Sequence, residues 1–183
     1  MNRTAVTIFC TSLLWCSAVF CADAPTVAKL YDGQLTTGEH DVVPLAEAMP
    51  ADKYNFAPTA GEFKGVRTFA QQVKHIAAVN YLVAAASLKE KPPVDLGRGE
   101  NGPDSISSKD QIVQFLKGSY AYAHKAMLAL TEANQLEMVK SPFGSGQMPR
   151  AGAAEVAIWH PFDHYGQMVV YARMNGIVPP ASR

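Results

Sequence analysis

The sequence predicts an all-α protein built as a four-helix bundle. Three observations support this fold class. Apolar residues recur at helical spacing in four long segments, no run of residues alternates convincingly as a strand, and the connections are unequal in length and rich in proline and glycine. The chain has 183 residues, of which 48% are hydrophobic, which suits one domain with a proper core, placed at residues 25–183.

Residues 1–22 are predicted to be a signal peptide rather than part of the fold. Residues 1–3 form a short positive start, and residues 5–20 form an apolar run. Small residues follow, which places cleavage near Cys21 or Ala22. The run is short for a membrane helix, which needs about 20 residues, although retention as an uncleaved membrane anchor stays open. We therefore expect an exported protein, periplasmic or secreted, without a stable membrane span in the mature chain.

All three cysteines, Cys10, Cys16 and Cys21, lie in this N-terminal segment. The mature chain is therefore expected to have no disulfide, no thiolate nucleophile and no cysteine-type zinc site. Any metal site must use histidine and carboxylate ligands.

The charge balance gives no sign of a nucleic-acid partner. The formal net charge is zero, and no basic cluster stands out. Residues 144–146 read Gly-Ser-Gly but lack a preceding strand and a lysine, so we interpret them as loop. No nucleophile-elbow pattern supports Ser-His-Asp chemistry, which nevertheless stays open.

The first two helices are predicted at residues 26–49 and 66–87. Pro44 should kink or break the first helix. In the second, Thr68 is the expected N-cap, and Gln71 three residues later completes a capping box.

The second half of the chain holds two loops and the remaining helices. Residues 89–108 are polar and rich in proline and glycine, which predicts a crossover connection. Residues 107–111 resemble a helix start, and the third helix should run to about residue 133 or later. Residues 140–152 form a second predicted loop. His124 follows the apolar stripe of the third helix, and we expect it to be structural or exposed.

The fourth helix carries the most informative pattern. His160 and His164 are spaced i and i+4, which stacks them one turn apart, and Gln167 and Tyr171 follow on the same face. Two such imidazoles can hold a single first-row metal ion, but the pair alone is weak evidence, because core or surface histidines are common. Pro161 would clash inside a helix, so we expect the helix to begin near His160 with Pro161 in its first turn.

Five short motifs carry a resemblance to the DinB-like superfamily, in particular its secreted bacterial members, over residues 26–183. They are Leu45–Pro50, Phe56–Thr59, Arg67–Asn80, His160–Gln167 and Gly176–Pro180. The resemblance implies an antiparallel four-helix bundle with a long crossover loop.

The resemblance also implies a three-histidine metal site at one end of the bundle, formed by His75, His160 and His164. Periodicity alone does not choose His75. Three protein ligands would leave a position for water or substrate, and zinc, nickel or iron(II) could each occupy the site. We expect Asp163 or Gln167 to orient an imidazole, although Asp163 is equally well explained as a solvated carboxylate.

Two functions compete. The first is a metal-dependent hydrolase or transferase of unknown small-molecule substrate; export disfavours the thiol-dependent transferases among the relatives, which are mostly cytoplasmic. The second is a non-catalytic metal-binding or small-ligand-binding bundle of the cell envelope, because no glutamate adjoins the histidines as in a His-Glu-x-x-His site. A purely structural bundle is a third interpretation. Related bundles often pair, so a homodimer is possible by analogy.

Overall fold

The computed structural model describes residues 24–183. These residues form four α-helices and one short antiparallel hairpin, which confirms the all-α fold class. The predicted signal peptide, residues 1–22, lies outside the described residues. The elements are α1 (Val27–Ala48), α2 (Phe69–Leu88), α3 (Lys109–Leu128), β1 (Met138–Lys140), β2 (Gln147–Pro149) and α4 (Arg150–Met174), with 3-10 turns at Ala51–Lys53 and Pro180–Ser182.

Helix α2 is the most extensively buried of the four helices. It packs against α3 and α4, while α1 packs against the same two helices. The core combines aliphatic and aromatic side chains from all four helices, with Leu35, Phe69, Ile76, Tyr120 and Met168 among its fully buried members. None of the helices within residues 24–183 has both the length and the hydropathy that a membrane crossing requires.

Helix α2 begins at Phe69 rather than at residue 66, and its predicted N-cap is confirmed. The Thr68 side chain accepts a hydrogen bond from the Gln71 amide, and the Gln71 side chain accepts one from the Thr68 amide. This reciprocal pair satisfies two amides at the start of the helix. The predicted break at Pro44 is absent, because α1 continues through this residue as one helix, with Val43 and Leu45 buried on either side of it.

The predicted start of α4 near His160 is wrong. The helix begins at Arg150, after Pro149, and Pro161 lies inside it. An internal proline removes one backbone hydrogen bond and costs roughly 3 kcal/mol. Here α4 packs against both α1 and α2, and the Phe162 ring faces Gly38 of α1, where a Cβ would lie 3.6 Å from the ring. This packing, which one sequence segment cannot reveal, offsets the cost.

The third helix ends earlier than predicted, at Leu128 rather than about residue 133. Thr131 and Asn134 exchange side chain to backbone hydrogen bonds, and the Asn134 amide also donates to the carbonyl of Ala129. These bonds satisfy groups that would otherwise continue the helix. The predicted loop at 140–152 instead contains β2 and the first turn of α4. The strand was missed because three residues are too few to show alternation.

His124 of α3 joins α3 to α1, where the sequence suggested no partner. Its Nδ1 lies 2.6 Å from Asp32 Oδ1 and its Nε2 lies 3.1 Å from Glu39 Oε2. Burial lowers the pKa of His124, but the two carboxylates outweigh burial and raise the pKa above its ordinary value. The charged imidazole therefore stabilises the fold below the unfolded-state pKa of about 6.5, and this stabilisation is lost as the pH rises through the folded-state pKa.

We expect His124→Gln to lower the free energy of unfolding by about 1–2 kcal/mol at pH 5.5 and by much less at pH 9. Urea unfolding at the two pH values measures the difference. The exposed His40 of α1 supplies the control, His40→Gln. An equal loss for His124→Gln at both pH values would contradict the ion-pair interpretation.

Candidate metal centre

Three histidines converge between α2 and α4. His75 Nε2 lies 3.1 Å from His160 Nε2, which in turn lies 3.1 Å from His164 Nε2. One ligating atom from each residue lies within 4.8 Å of the other two. His75 and His164 are buried, and His160 is half-buried. Three imidazole nitrogens thus point at one small volume.

The antiparallel packing of α2 and α4 brings these residues together. At one end, Arg150 Nε donates to the carbonyl of Ser87 at 2.7 Å. At the other end, the Tyr171 hydroxyl donates to the carbonyl of Arg67 at 3.2 Å. These two bonds set the register of the helices, so that His75 faces the i, i+4 pair of α4.

The outer nitrogens of two imidazoles are already bonded to acceptors. His75 Nδ1 lies 2.7 Å from the carbonyl oxygen of Glu100, which can only accept, so this nitrogen carries the proton. His164 Nδ1 lies 2.7 Å from Gln72 Oε1, while Gln72 Nε2 donates to Gln167 Oε1 at 2.8 Å. Both imidazoles therefore present an unprotonated Nε2 to the centre of the cluster.

His160 completes the cluster differently. Its Nδ1 is buried and has no hydrogen-bond partner within the described part of the chain. Its Nε2 lies between the lone pairs of His75 and His164, so without a cation this nitrogen is the one that carries the proton. A cation at the centre would take the place of that proton, and the single proton of His160 would then lie on Nδ1. The three convergent nitrogens therefore fit a metal ion.

The three imidazoles are neutral at physiological pH. Burial, followed by the neighbouring imidazoles and Arg67, lowers the pKa of His160 to about 3. Burial is also the largest cause that lowers the pKa of His164, to about 4, and the pKa of His75. Because neutral imidazole is the form that ligates metals, protons do not compete for the site at neutral pH.

The residues around the histidines differ in part from the expected ones. Gln167 does not contact a histidine directly but accepts a hydrogen bond from Gln72, which in turn accepts one from His164. The exposed Asp163 makes no hydrogen bond to the three histidines within residues 24–183. Sequence reasoning missed Gln72, although it lies three residues before His75 on a helix and thus on a neighbouring position of the same face. No sequence signal marks the backbone carbonyl of Glu100.

Comparison with known families supports the resemblance seen in the sequence. The model of the DinB superfamily matches residues 34–168, which is most of the chain. This chain belongs to the DinB superfamily. Proteins of this superfamily often bind metal. No curated protein sequence matches the chain.

A solved structure shares the DinB fold. It is the crystal structure of a DinB-like protein from Bacillus cereus ATCC 10987, with 16% sequence identity and a TM-score of 0.64. The alignment covers 82% of this chain and 93% of that protein. At 16% identity the likeness establishes the fold alone.

Proposed function

We propose that His75, His160 and His164 ligate one divalent transition metal, and that this DinB protein is a metal-dependent hydrolase or transferase of a small-molecule substrate. The observation that carries the proposal is the convergence of three Nε2 atoms, with separations of 3.1 Å along the cluster. Three protein ligands leave at least one position for water or substrate, which is the pattern of catalytic rather than structural sites.

The chain's own residues prepare the ligands. Gln72 and the carbonyl of Glu100 hold the protons of His164 and His75 on the outer nitrogens, which orients the rings and fixes their tautomers. A bound divalent metal would supply Lewis acidity, which activates water and polarises carbonyl or phosphoryl groups. Zinc, nickel and iron(II) all accept such ligands, so they form the candidate set.

The second candidate is a non-catalytic bundle that binds a metal or a small ligand. The position of the nearby carboxylates favours it. Glu100 Oε2 lies 4.0 Å from His75 Nδ1, the nitrogen that points away from the cluster, and Asp163 is exposed. The Glu100 carboxylate therefore lies on the outer side of His75, and Asp163 makes no hydrogen bond to the three histidines within residues 24–183.

We also propose that the protein acts outside the cytoplasm, on a small molecule rather than a nucleic acid. The positive start and apolar run of residues 1–22 support export, and residues 24–183 contain no cysteine, which suits an oxidising compartment. The zero net charge and absence of a basic cluster in the sequence argue against a nucleic-acid partner.

Elemental mass spectrometry of the mature protein, purified without a histidine tag, tests the proposal. We expect about one equivalent of a transition metal per chain, as isolated or after reconstitution with zinc, nickel or iron(II). Failure to bind any of the three would overturn the metal proposal. With metal bound, turnover in a screen of hydrolase and transferase substrates would distinguish the enzyme from the binding bundle.

The proposal predicts that Gln72→Leu weakens metal affinity by roughly 10–100-fold, because outer partners of metal-bound histidines contribute about this much. Competition against a chelator measures the affinity. Gln114→Leu, the same change at an exposed position of α3, is the matched control and should leave the affinity unchanged. Equal metal affinities for the parent and Gln72→Leu would show that Gln72 does not support the metal site.

A further inference from the structure

Arg67 immediately precedes Thr68, the N-cap of α2, and lies eight residues before His75. Its Nε donates to Asn101 Oδ1 at 2.8 Å. The preceding loop residue, Glu100, is the one whose carbonyl oxygen lies 2.7 Å from His75 Nδ1. The Arg67 guanidinium is thus attached to the crossover loop one residue from the bond that orients His75.

A second contact holds Arg67 from the α4 side. Tyr171, which follows His160, His164 and Gln167 along one face of α4, donates its hydroxyl proton to the carbonyl of Arg67. The residue is therefore held between the loop and α4. In agreement with this placement, the positive charge of Arg67 contributes to the lowered pKa of all three histidines.

The Arg67 guanidinium has no carboxylate at ion-pair distance among residues 24–183, and no hydrogen bond from its Nη atoms is formed there. A half-buried cation beside a site for a dication opposes metal binding by like-charge repulsion. An anion placed between the two positive charges removes this repulsion.

We propose that Arg67 determines specificity by binding an anionic group of the substrate, a carboxylate or a phosphoryl-type oxyanion, while the substrate's reacting group reaches the metal. Guanidinium nitrogens form a planar fork that matches two oxygens of such a group. The inference rests on the proposed metal site. It narrows the substrate class to small molecules that carry a carboxylate or a phosphoryl-type group.

A simpler role for Arg67 is to pin the crossover loop through Asn101. The two roles predict different effects of the variants on anion affinity. If Arg67 only pins the loop, Arg67→Met and Asn101→Ala remove the same hydrogen bond and should have the same effect. If Arg67 binds the anion, Arg67→Met should lower the anion affinity far more than Asn101→Ala does.

The test uses the cobalt(II)-loaded protein, whose visible absorption reports ligands that reach the metal. Cobalt stoichiometry is measured first, and each loaded protein is then titrated with acetate, methylphosphonate or, as the neutral control, imidazole. We expect Arg67→Met to take one equivalent of cobalt but to bind its preferred anion about tenfold or more weakly. Asn101→Ala should stay within about twofold of the parent, and imidazole affinity should change little in either variant.

Arg67→Lys keeps the charge but not the fork, so its anion affinity should lie between those of the parent and Arg67→Met. A greater loss for acetate than for methylphosphonate in Arg67→Met would assign a carboxylate substrate, and the reverse would assign a phosphoryl group. Anion binding that is absent in the parent, unchanged in Arg67→Met or equally reduced in Asn101→Ala would overturn the inference. Failure of the parent to take cobalt is seen earlier, at the stoichiometry step, and would overturn the metal proposal together with this inference.

Discussion

His164→Ala is expected to abolish stoichiometric metal binding and to weaken the remaining affinity by more than about a hundredfold. Loss of a ligand must exceed the 10–100-fold effect of losing an outer hydrogen-bond partner. The variant also leaves Gln72 Oε1 without the donor that lies 2.7 Å away in the parent. Elemental analysis and chelator competition measure the two quantities.

Thermal unfolding separates loss of metal from loss of fold. A metal at a hundred times its Kd should stabilise the parent by about 2.7 kcal/mol, whereas His164→Ala should show no shift with metal while still unfolding cooperatively. His40→Ala, at an exposed position of α1, is the matched control and should behave as the parent. A metal-dependent shift that survives in His164→Ala would exclude His164 as a ligand.

Lys74→Met is expected to have the largest effect on stability, a loss of about 2–4 kcal/mol. The side chain is only 9% exposed, and its ammonium donates to the carbonyl of Pro103 at 2.8 Å and to the carbonyl of Ile106 at 3.1 Å. Methionine fills similar space but leaves both loop carbonyls without their donor. Urea unfolding measures the loss.

Lys109→Met provides the control for this change. Lys109 also donates to a backbone carbonyl, that of Glu47 at 2.7 Å, but in an exposed setting, so its replacement should cost less than about 1 kcal/mol. Because Lys74 holds the same loop that carries Glu100, we further expect faster amide hydrogen exchange at residues 100–106 in Lys74→Met. Unchanged exchange there would show that the loop is held by other contacts.

The local signals in the sequence predicted the local structure well. The capping box at Thr68 and Gln71 is confirmed, because both partners lie within one turn and need no tertiary context. The errors arose where long-range packing overrides a local rule. Pro161 is tolerated because α1 and α2 cover α4 on two sides, and the single-residue steric argument placed the helix start ten residues too late.

For the metal centre, the chain by itself determined the pairing of His160 with His164, since the spacing of four residues on a helix brings them to one face. It also determined that the histidine pattern resembles the DinB superfamily. Periodicity could not select His75, and the tertiary structure decided its place by packing α2 antiparallel to α4. Gln72, the Glu100 carbonyl and Arg67 likewise acquire their positions from contacts between segments 25 to more than 90 residues apart. Such contacts are set by helix register and loop path, which depend on the packing of the whole core rather than on any one stretch of residues.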